Sequence, residues 1–271
     1  MIPSRSLSIL ANRLAAGGGR RIPERVLERD YCLAWFLVGL SRSRLCRQLA
    51  FKGGTALKRC HFADYRFSED LDFTLLEPLD LTSILAALEP IFRDVADASA
   101  VELRFAGPDR HSHENSYTFM LGYEGPLPAQ DSRVKVDITR RERLTSPLEM
   151  RPVLRGYGEY ADLPQTSRLQ TAEKIVALLD RARVEPRDLY DLWFLLNEGG
   201  VDAGDLLAPV TEKLVFRGRD LDECAAVLRE KEKRLARVWT LRLSAQMVWL
   251  PEFEGVFRAV RRQLRQAHLA T

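Results

Sequence analysis

Residues 51–76, FKGGTALKRCHFADYRFSEDLDFTLL, decide how the rest of the chain is interpreted. They contain a Gly-Gly-Thr turn that begins at Gly53 and, further along, two aspartates, Asp70 and Asp72, which open an apolar run. Paired glycines allow backbone amides to approach a phosphate group closely, because no Cβ atom stands in the way. The stretch therefore predicts a phosphate-binding turn that is followed by a pair of acidic side chains.

The spacing of the two aspartates predicts that they act together. Residues 71–76 indicate a β-strand, in which successive side chains alternate between the two faces, so Asp70 and Asp72 share one face. Their Cα atoms would lie about 6.5 Å apart, at ~3.3 Å per residue. Both carboxylates can then bind one Mg²⁺ ion, which takes oxygen ligands at about 2.0–2.1 Å. A phosphate-binding turn beside such a pair is what transfer of a nucleotide from an NTP requires.

Length and composition are typical of an ordinary soluble globular protein. The 271 residues suffice for one large domain or two packed domains, and 46% are hydrophobic and 29% charged. The net charge of +3 does not by itself argue for a nucleic-acid partner. No apolar run reaches the roughly 20 residues of a membrane span, and no secretory signal is evident, so no membrane partner is expected. The four cysteines lack zinc-binding spacing, which predicts free thiols in a cytoplasmic protein.

The pattern along the chain predicts three parts and an α+β fold. Residues 1–20 are expected to be loosely structured, 21–155 to form an α/β domain around a sheet, and 156–271 to form a helical domain. The division rests on a change to almost continuous helical patterning after Pro164. The elements predicted before that point are helices at 22–41 and 82–96 and strands at 71–76, 101–105, 116–123 and 133–139.

The last of these strands carries a further acidic candidate. In residues 133–139 apolar side chains alternate with polar ones, and Lys135, Asp137 and Thr139 share the polar face. The pattern leaves open whether Asp137 has a functional role or belongs to a solvated Lys/Asp face on an edge strand.

The string KGGTAL followed by RFSEDLDF resembles the signature of the AbiEii/AbiGii toxin family, which includes MenT-like toxins. That family lies within the polymerase-beta-like nucleotidyltransferase superfamily, and the resemblance covers about residues 24–200. It implies a polymerase-beta-like nucleotidyltransferase N-terminal domain with a mixed sheet, followed by a helical C-terminal domain. In this fold a third carboxylate on a neighbouring strand completes the metal site, and Asp137 matches that position by order and face. The resemblance thus implies that Asp70, Asp72 and Asp137 are catalytic and bind Mg²⁺, with Mn²⁺ as an alternative.

The resemblance also implies a set of nucleotide-binding residues around the first motif. An arginine at position 66 would pair with phosphate oxygens in a forked geometry, or it would form a salt bridge with Glu69 or Asp64. The residues implied to bind the NTP in this part of the chain are Gly53, Gly54, Thr55, Arg66 and Ser68.

Two later helices carry the remaining implied site residues. Lys174 lies opposite an apolar stripe in a helix predicted at 167–183, and the resemblance implies contact with the nucleotide phosphates. A solvated lysine is the alternative. Asp188 and Asp191 share one face of a helix that follows Pro186. The resemblance implies nucleotide binding for Asp188 and catalysis for Asp191, although Asp188 would also suit a helix N-terminus. Spacing alone leaves open which of the two is functional.

The activity implied by the resemblance is Mg²⁺-dependent transfer of a nucleoside monophosphate to an RNA acceptor, namely a tRNA 3′ end. The chain would be the toxin of a type IV-like toxin–antitoxin or abortive-infection system in phage defence, with an AbiEi-like antitoxin as partner. Basic residues near the C-terminus recur at helical intervals and would either follow an RNA backbone or form a solvated face. These residues are Arg258, Arg261, Arg262 and Arg265.

Two alternatives remain open from the sequence. The same chemistry could act on a protein or small-molecule acceptor, or the chain could be a non-catalytic module that binds a nucleotide or a partner. Intact Asp70, Asp72, Asp137 and Lys174 argue against the second alternative.

Overall fold

The computed structural model describes residues 1–109, 114–128, 131–142, 148–154, 185–216, 218 and 221–269, with only the backbone described for 221–226. The helix predicted at 167–183, with Lys174, lies outside the described residues, and so does the predicted boundary between 155 and 156. The described chain divides into two compact units. The first contains residues 1–142, 148–154 and 245–248, and the second contains 185–244 and 249–269.

The first unit is built on a mixed sheet. Within the described residues its strands follow the order β1-β2-β5-β4-β3, in which β2 and β5 run parallel and the other neighbours run antiparallel. This confirms the predicted α+β class. The strands are β1 (Leu49–Lys52), β2 (Leu71–Leu75), β3 (Glu102–Pro108), β4 (Ser116–Glu124) and β5 (Ser132–Thr139).

The helices of the first unit pack against one another and against the sheet. Helix α2 packs against both α1 and α4, and α4 also contacts β3. The short helix α3 continues into a π-helical turn, Leu57–His61. The helices are α1 (Ser4–Ala15), α2 (Glu24–Arg42), α3 (Gly53–Ala56) and α4 (Leu81–Ser99).

Helix α1 corrects the expectation that residues 1–20 are loosely structured. Leu7 and Ala11 lie four positions apart on one side of α1, and both are fully buried. The backbone N–H of Ile2 donates a hydrogen bond to Tyr31 Oη at 3.3 Å. Tertiary packing against α2 therefore stabilises this short amphipathic helix.

The predicted alternation along the two parallel strands is present. Leu71 and Phe73 of β2 are buried, as are Val136 and Ile138 of β5, and they belong to one apolar core with α2 and α4. The polar side chains between them face the other way and are half-buried. The sheet thus has an apolar face that packs and a polar face available for chemistry.

A buried ion pair fixes the helical turn that follows α3. Arg59 Nε donates to Asp30 Oδ1 at 2.9 Å, and both residues are almost fully buried. The Leu154 N–H donates to the Arg59 carbonyl at 2.6 Å. Residues 148–154 are therefore attached to the same turn.

The second unit consists of helices in its described part. Its elements are α5 (Pro186–Asn197), α6 (Leu207–Phe216), α7 (Leu221–Leu243) and α8 (Phe253–Gln266). Helix α8 packs against α5 and α7, and Trp239 Nε1 donates to the Pro251 carbonyl at 2.9 Å. Helix α5 starts at Pro186, where proline is tolerated because its missing N–H would have no partner within the helix. Among the described helices, none has the length and apolar character needed to span a bilayer.

Three of the four cysteine side chains are described, and all three are free thiols: Cys32, Cys46 and Cys60. This confirms the prediction for those positions, whereas the side chain of Cys224 lies outside the described residues. Burial raises the pKa of the Cys32 thiol well above its usual range. Cys32 is therefore a packing residue rather than a nucleophile.

Replacing Gly39 by alanine is expected to destabilise the protein. A Cβ atom at this position in α2 would lie 2.8 Å from the Cγ2 atoms of Ile91 and Val95 in α4. β-Branched side chains are stiff at χ1 and move away only at a cost. We expect the free energy of unfolding, measured by urea denaturation, to fall by about 1–3 kcal/mol.

Gly255 in α8 provides the matched control. No atom lies within 4 Å of a Cβ built there, so alanine is expected to raise the free energy of unfolding by about 0.5–1 kcal/mol. Equal effects of Gly39→Ala and Gly255→Ala would contradict the close packing of α2 on α4.

Candidate functional site

The glycine turn lies directly against the second aspartate of the motif. Strand β1 leads into α3 at Gly53, which has a φ of +76°. A Cβ atom at Gly53 would lie 3.1 Å from Cγ and 3.2 Å from Cβ of Asp72, and closer still to Oδ2. Both the backbone conformation and the lack of space therefore require glycine. The turn and the Asp72 carboxylate are therefore in close contact and belong to one site.

The second glycine of the turn packs against two other motif residues. A Cβ at Gly54 would lie 2.7 Å from Arg66 Nη2 and 2.9 Å from Ser68 Oγ. Both of these side chains are buried. Thr55 ties the turn to the start of β2, because its Oγ1 donates a hydrogen bond to the Asp70 carbonyl at 2.5 Å. The residues predicted to bind the nucleotide in this part of the chain thus lie together.

The strand register brings two predicted carboxylates face to face. Asp72 on β2 is the direct partner of Asp137 on the parallel strand β5, and neighbouring strands lie about 4.7–4.9 Å apart. The same row contains Lys52 on β1 and Thr118 on β4. Thr118 Oγ1 donates to Asp137 Oδ2 at 3.4 Å. Asp70 lies just before β2, two residues from Asp72.

The pair of carboxylates is better suited to a cation that also binds the substrate than to one bound by protein ligands alone. Within the described residues, no three His, Cys, Asp or Glu side chains converge as a group that could hold a metal ion. Mg²⁺ is usually held by one or two carboxylates together with substrate phosphates. Asp72 and Asp137 beside the glycine turn fit this arrangement. The participation of Asp70 as a third ligand stays a prediction.

The sequence did not predict an ion pair that lies beside the aspartates. Lys52 Nζ lies 2.6 Å from Glu142 Oε2 and donates to Thr139 Oγ1 at 3.1 Å. Thr74 Oγ1 also donates to the Glu142 carboxylate. The side chains of Lys52 and Glu142 are only 11% and 8% exposed. Lys52 directly precedes the two glycines, but no local sequence pattern links it to Glu142, which lies 90 positions later.

Gln246, which belongs to residues 245–248 of the first unit, is a second site residue that the sequence did not predict. The Phe67 N–H donates to its carbonyl at 2.7 Å, and Arg66 Nη1 donates to its Oε1 at 3.2 Å. Gln246 is buried. It helps to hold the Arg66 guanidinium against the glycine turn, and no sequence signal marks it.

The two aspartates of the last motif lie on α5 of the second unit. The exposed fractions of Asp188 and Asp191 are 1% and 0%. Aspartate is almost never fully buried unless it is paired, so burial argues against a solvated capping role for either residue. Which of them is functional stays open. The third predicted residue of this group, Lys174, lies outside the described residues.

Comparisons with known proteins identify a matching family and two similar structures. A family profile described as nucleotidyl transferase AbiEii toxin, type IV TA system, matches residues 35–262. No curated protein matches the chain. The crystal structure of JHP933 from Helicobacter pylori is similar at 18% identity and a TM-score of 0.51, covering 91% of this chain and 93% of that one. A second H. pylori structure, with a suggested nucleotidyltransferase activity, is 17% identical at a TM-score of 0.52, covering 91% and 96%. At these identities the two structures establish the fold.

Replacing Gly53 by alanine is expected to disable the site. The left-handed backbone would cost about 1–2 kcal/mol, and the new Cβ would force Asp72 away from the turn. We expect NTP affinity, measured by isothermal titration calorimetry, to fall at least about tenfold, equivalent to about 1.4 kcal/mol.

Gly17→Ala is the control for that measurement, since no atom lies within 4 Å of a Cβ at Gly17. Its NTP affinity should equal that of the wild type. Wild-type affinity in Gly53→Ala would show that the turn does not bind the nucleotide.

The Lys52–Glu142 pair is expected to be energetically coupled. Removing one partner of a buried pair leaves an uncompensated charge and typically costs about 3–5 kcal/mol. Lys52→Met and Glu142→Gln should each lower the free energy of unfolding, and the double variant should lose clearly less than the sum of the two. Urea unfolding of all four proteins measures the coupling. Additive losses would mean that the pair is not formed.

Proposed function

Because the chain belongs to the AbiEii family of nucleotidyltransferase toxins from type IV toxin–antitoxin systems, we propose that it transfers a nucleoside monophosphate from an NTP to an RNA acceptor. The proposed acceptor is the 3′ end of a tRNA, and the proposed cofactor is Mg²⁺, with Mn²⁺ as an alternative. One observation carries the proposal: the register that sets Asp72 opposite Asp137 beside the Gly53 turn. It combines a phosphate-binding turn with two facing carboxylates.

In the proposed reaction, the oxygen of the acceptor hydroxyl attacks the α-phosphorus of the NTP. The bond from this phosphorus to the oxygen that bridges to the β-phosphate breaks, and pyrophosphate leaves. The hydroxyl proton passes to Asp137, whose carboxylate accepts a hydrogen bond from Thr118 on the adjacent strand. Such transfers need little covalent work from the protein, so positioning and charge stabilisation dominate.

The residues of the first unit have separate proposed tasks. The backbone of Gly53, Gly54 and Thr55 receives the triphosphate, and the buried side chains of Arg66 and Ser68 support the turn from behind. The carboxylates of Asp70, Asp72 and Asp137 would hold Mg²⁺. This ion prefers hard oxygen ligands and, when bound, neutralises charge at the reacting phosphate. Mutual repulsion of the carboxylates makes a cation there favourable as well.

The residues implied by the later motifs complete the proposal. Lys174 is proposed to contact the NTP phosphates, Asp188 to bind the nucleotide and Asp191 to take part in catalysis. The burial of Asp188 and Asp191 supports a role beyond that of solvated helix caps. The proposed setting is the cytoplasm of a cell that also makes an AbiEi-like antitoxin, with phage defence as the biological role.

Label transfer from α-³²P-NTPs tests the proposal. Purified protein is incubated with Mg²⁺, total RNA and each of the four labelled NTPs in turn. We expect label in a tRNA-sized band with one or more nucleotides. Asp70→Ala, Asp72→Asn and Asp137→Asn should each lower transfer at least about a hundredfold, because displaced groups at a reacting centre cost this much. Asp188→Asn and Asp191→Asn in the same assay decide between those two residues.

The exposed residue Asp97 on α4 supplies the control variant, and Asp97→Asn should transfer label like the wild type. Label that appears in protein, or in a small molecule after addition of cell lysate, would show that the acceptor is that molecule and not RNA. Transfer that survives in Asp72→Asn and Asp137→Asn would refute the proposed site.

A further inference from the structure

Helix α8 has two sharply different faces. Its apolar residues Phe253, Val256, Phe257, Val260 and Leu264 are buried within the second unit, where α8 packs against α5 and α7. This packing accounts for one side of the helix. The opposite side carries arginines.

Three arginines define the outer face of α8. Arg258, Arg262 and Arg265 are all exposed, and at 3.6 residues per turn they lie roughly 120–180° around the helix from the centre of the apolar side. They span about 10.5 Å along the helix, at 1.5 Å per residue. None of them forms an ion pair with another described residue. The face therefore presents positive charge to solvent.

The part of the chain that contains α8 has a positive net charge. Residues 227–269 contain ten Lys or Arg and four Asp or Glu, a net charge of +6. The whole chain carries +3, so the remaining residues sum to −3. A region with this net charge attracts polyanions, although the total charge of the chain is small. The small total charge of the chain therefore does not reveal the positive charge of residues 227–269.

An exposed aromatic residue lies just before α8. Trp249 is 64% exposed, whereas the nearby Trp239 is 3% exposed and packs against Phe253. Exposed aromatic rings are platforms on which unpaired bases stack. Arginines with an exposed aromatic ring favour a nucleic acid with unpaired bases over an acidic protein surface.

We propose that the arginine face of α8, formed by Arg258, Arg262 and Arg265, binds the phosphate backbone of the RNA acceptor. This inference rests on the proposed function, because it assigns a binding surface to the acceptor of that reaction. Binding there is electrostatic and independent of base sequence. Trp249 adds stacking with an unpaired base of the same RNA. The face holds the acceptor and does not take part in the chemistry.

The test compares two triple variants of the full chain in an Asp72→Asn background, in which transfer is suppressed. One variant is Arg258→Gln, Arg262→Gln and Arg265→Gln. The matched control removes three exposed arginines of the first unit, with Arg5→Gln, Arg13→Gln and Arg93→Gln. Fluorescence anisotropy measures binding of a labelled tRNA between about 50 and 200 mM salt, a range in which phosphate contacts dominate the change in affinity. Circular dichroism confirms that both variants fold.

We expect the α8 variant to bind tRNA about tenfold to a hundredfold more weakly and to reduce the slope of log K against log salt by about 2, since each lost phosphate contact removes roughly 0.7–0.9. The control should match its parent in both quantities. Trp249→Ala should weaken binding of single-stranded RNA with little change in salt slope, because stacking releases no counterions.

Equal affinity and slope in the α8 variant and the control would overturn the inference. The same two triple variants, made with Asp72 intact, are then assayed for label transfer to RNA. Transfer at the wild-type rate by the α8 variant would also overturn the inference while leaving the proposed function in place. Absence of RNA labelling by the wild type itself, with label in another acceptor, would refute the proposed function and the inference with it.

Discussion

The close approach of Gly53 to the Asp72 carboxylate is the constraint on which the site depends. The φ of +76° turns the chain sharply at the end of β1, and no side chain at that position would leave room for the carboxylate. Strand β1 pairs antiparallel with β2, so Lys52 and Asp72 are direct partners. The parallel pairing of β2 with β5 then sets Asp137 opposite Asp72. The Gly53 turn and the two strand pairings together bring the glycine turn and two carboxylates side by side.

Grouping acidic side chains on one sheet face has an electrostatic cost, and nearby residues offset part of it. Lys52 lies in the same row as the two aspartates, and its ammonium group is held by Glu142 and Thr139. Thr118 donates to Asp137 from the other side. These contacts restrict the polar side chains before any nucleotide binds, which lowers the conformational entropy lost on binding. On the apolar face of the same strands, Phe73 and Ile138 anchor the row to the core.

Local sequence patterns were sufficient to predict much of this arrangement. Some of the features that were not predicted depend on contacts between residues far apart in the chain. The alternation around Asp72 and Asp137 predicted both strands, because a period of two is visible within six residues. Strand β1 was not predicted, since four residues show no period. Helix α1 was wrongly expected to lack structure, although its apolar residues have the spacing of an amphipathic helix, and Leu7 and Ala11 are buried in the core. Gln246 joins the site from 180 residues beyond Arg66, a distance over which a single sequence contains no signal.

Nucleotide-dependent Mn²⁺ binding, followed by electron paramagnetic resonance, tests most directly whether Asp72 and Asp137 form one cation site with the bound phosphates. We predict that the wild type binds Mn²⁺ much more tightly with an NTP than without it. Asp72→Asn and Asp137→Asn should each weaken binding in the presence of NTP by at least about tenfold, or about 1.4 kcal/mol, while Asp97→Asn leaves it unchanged. Wild-type Mn²⁺ binding in Asp137→Asn would show that the two facing carboxylates do not share an ion.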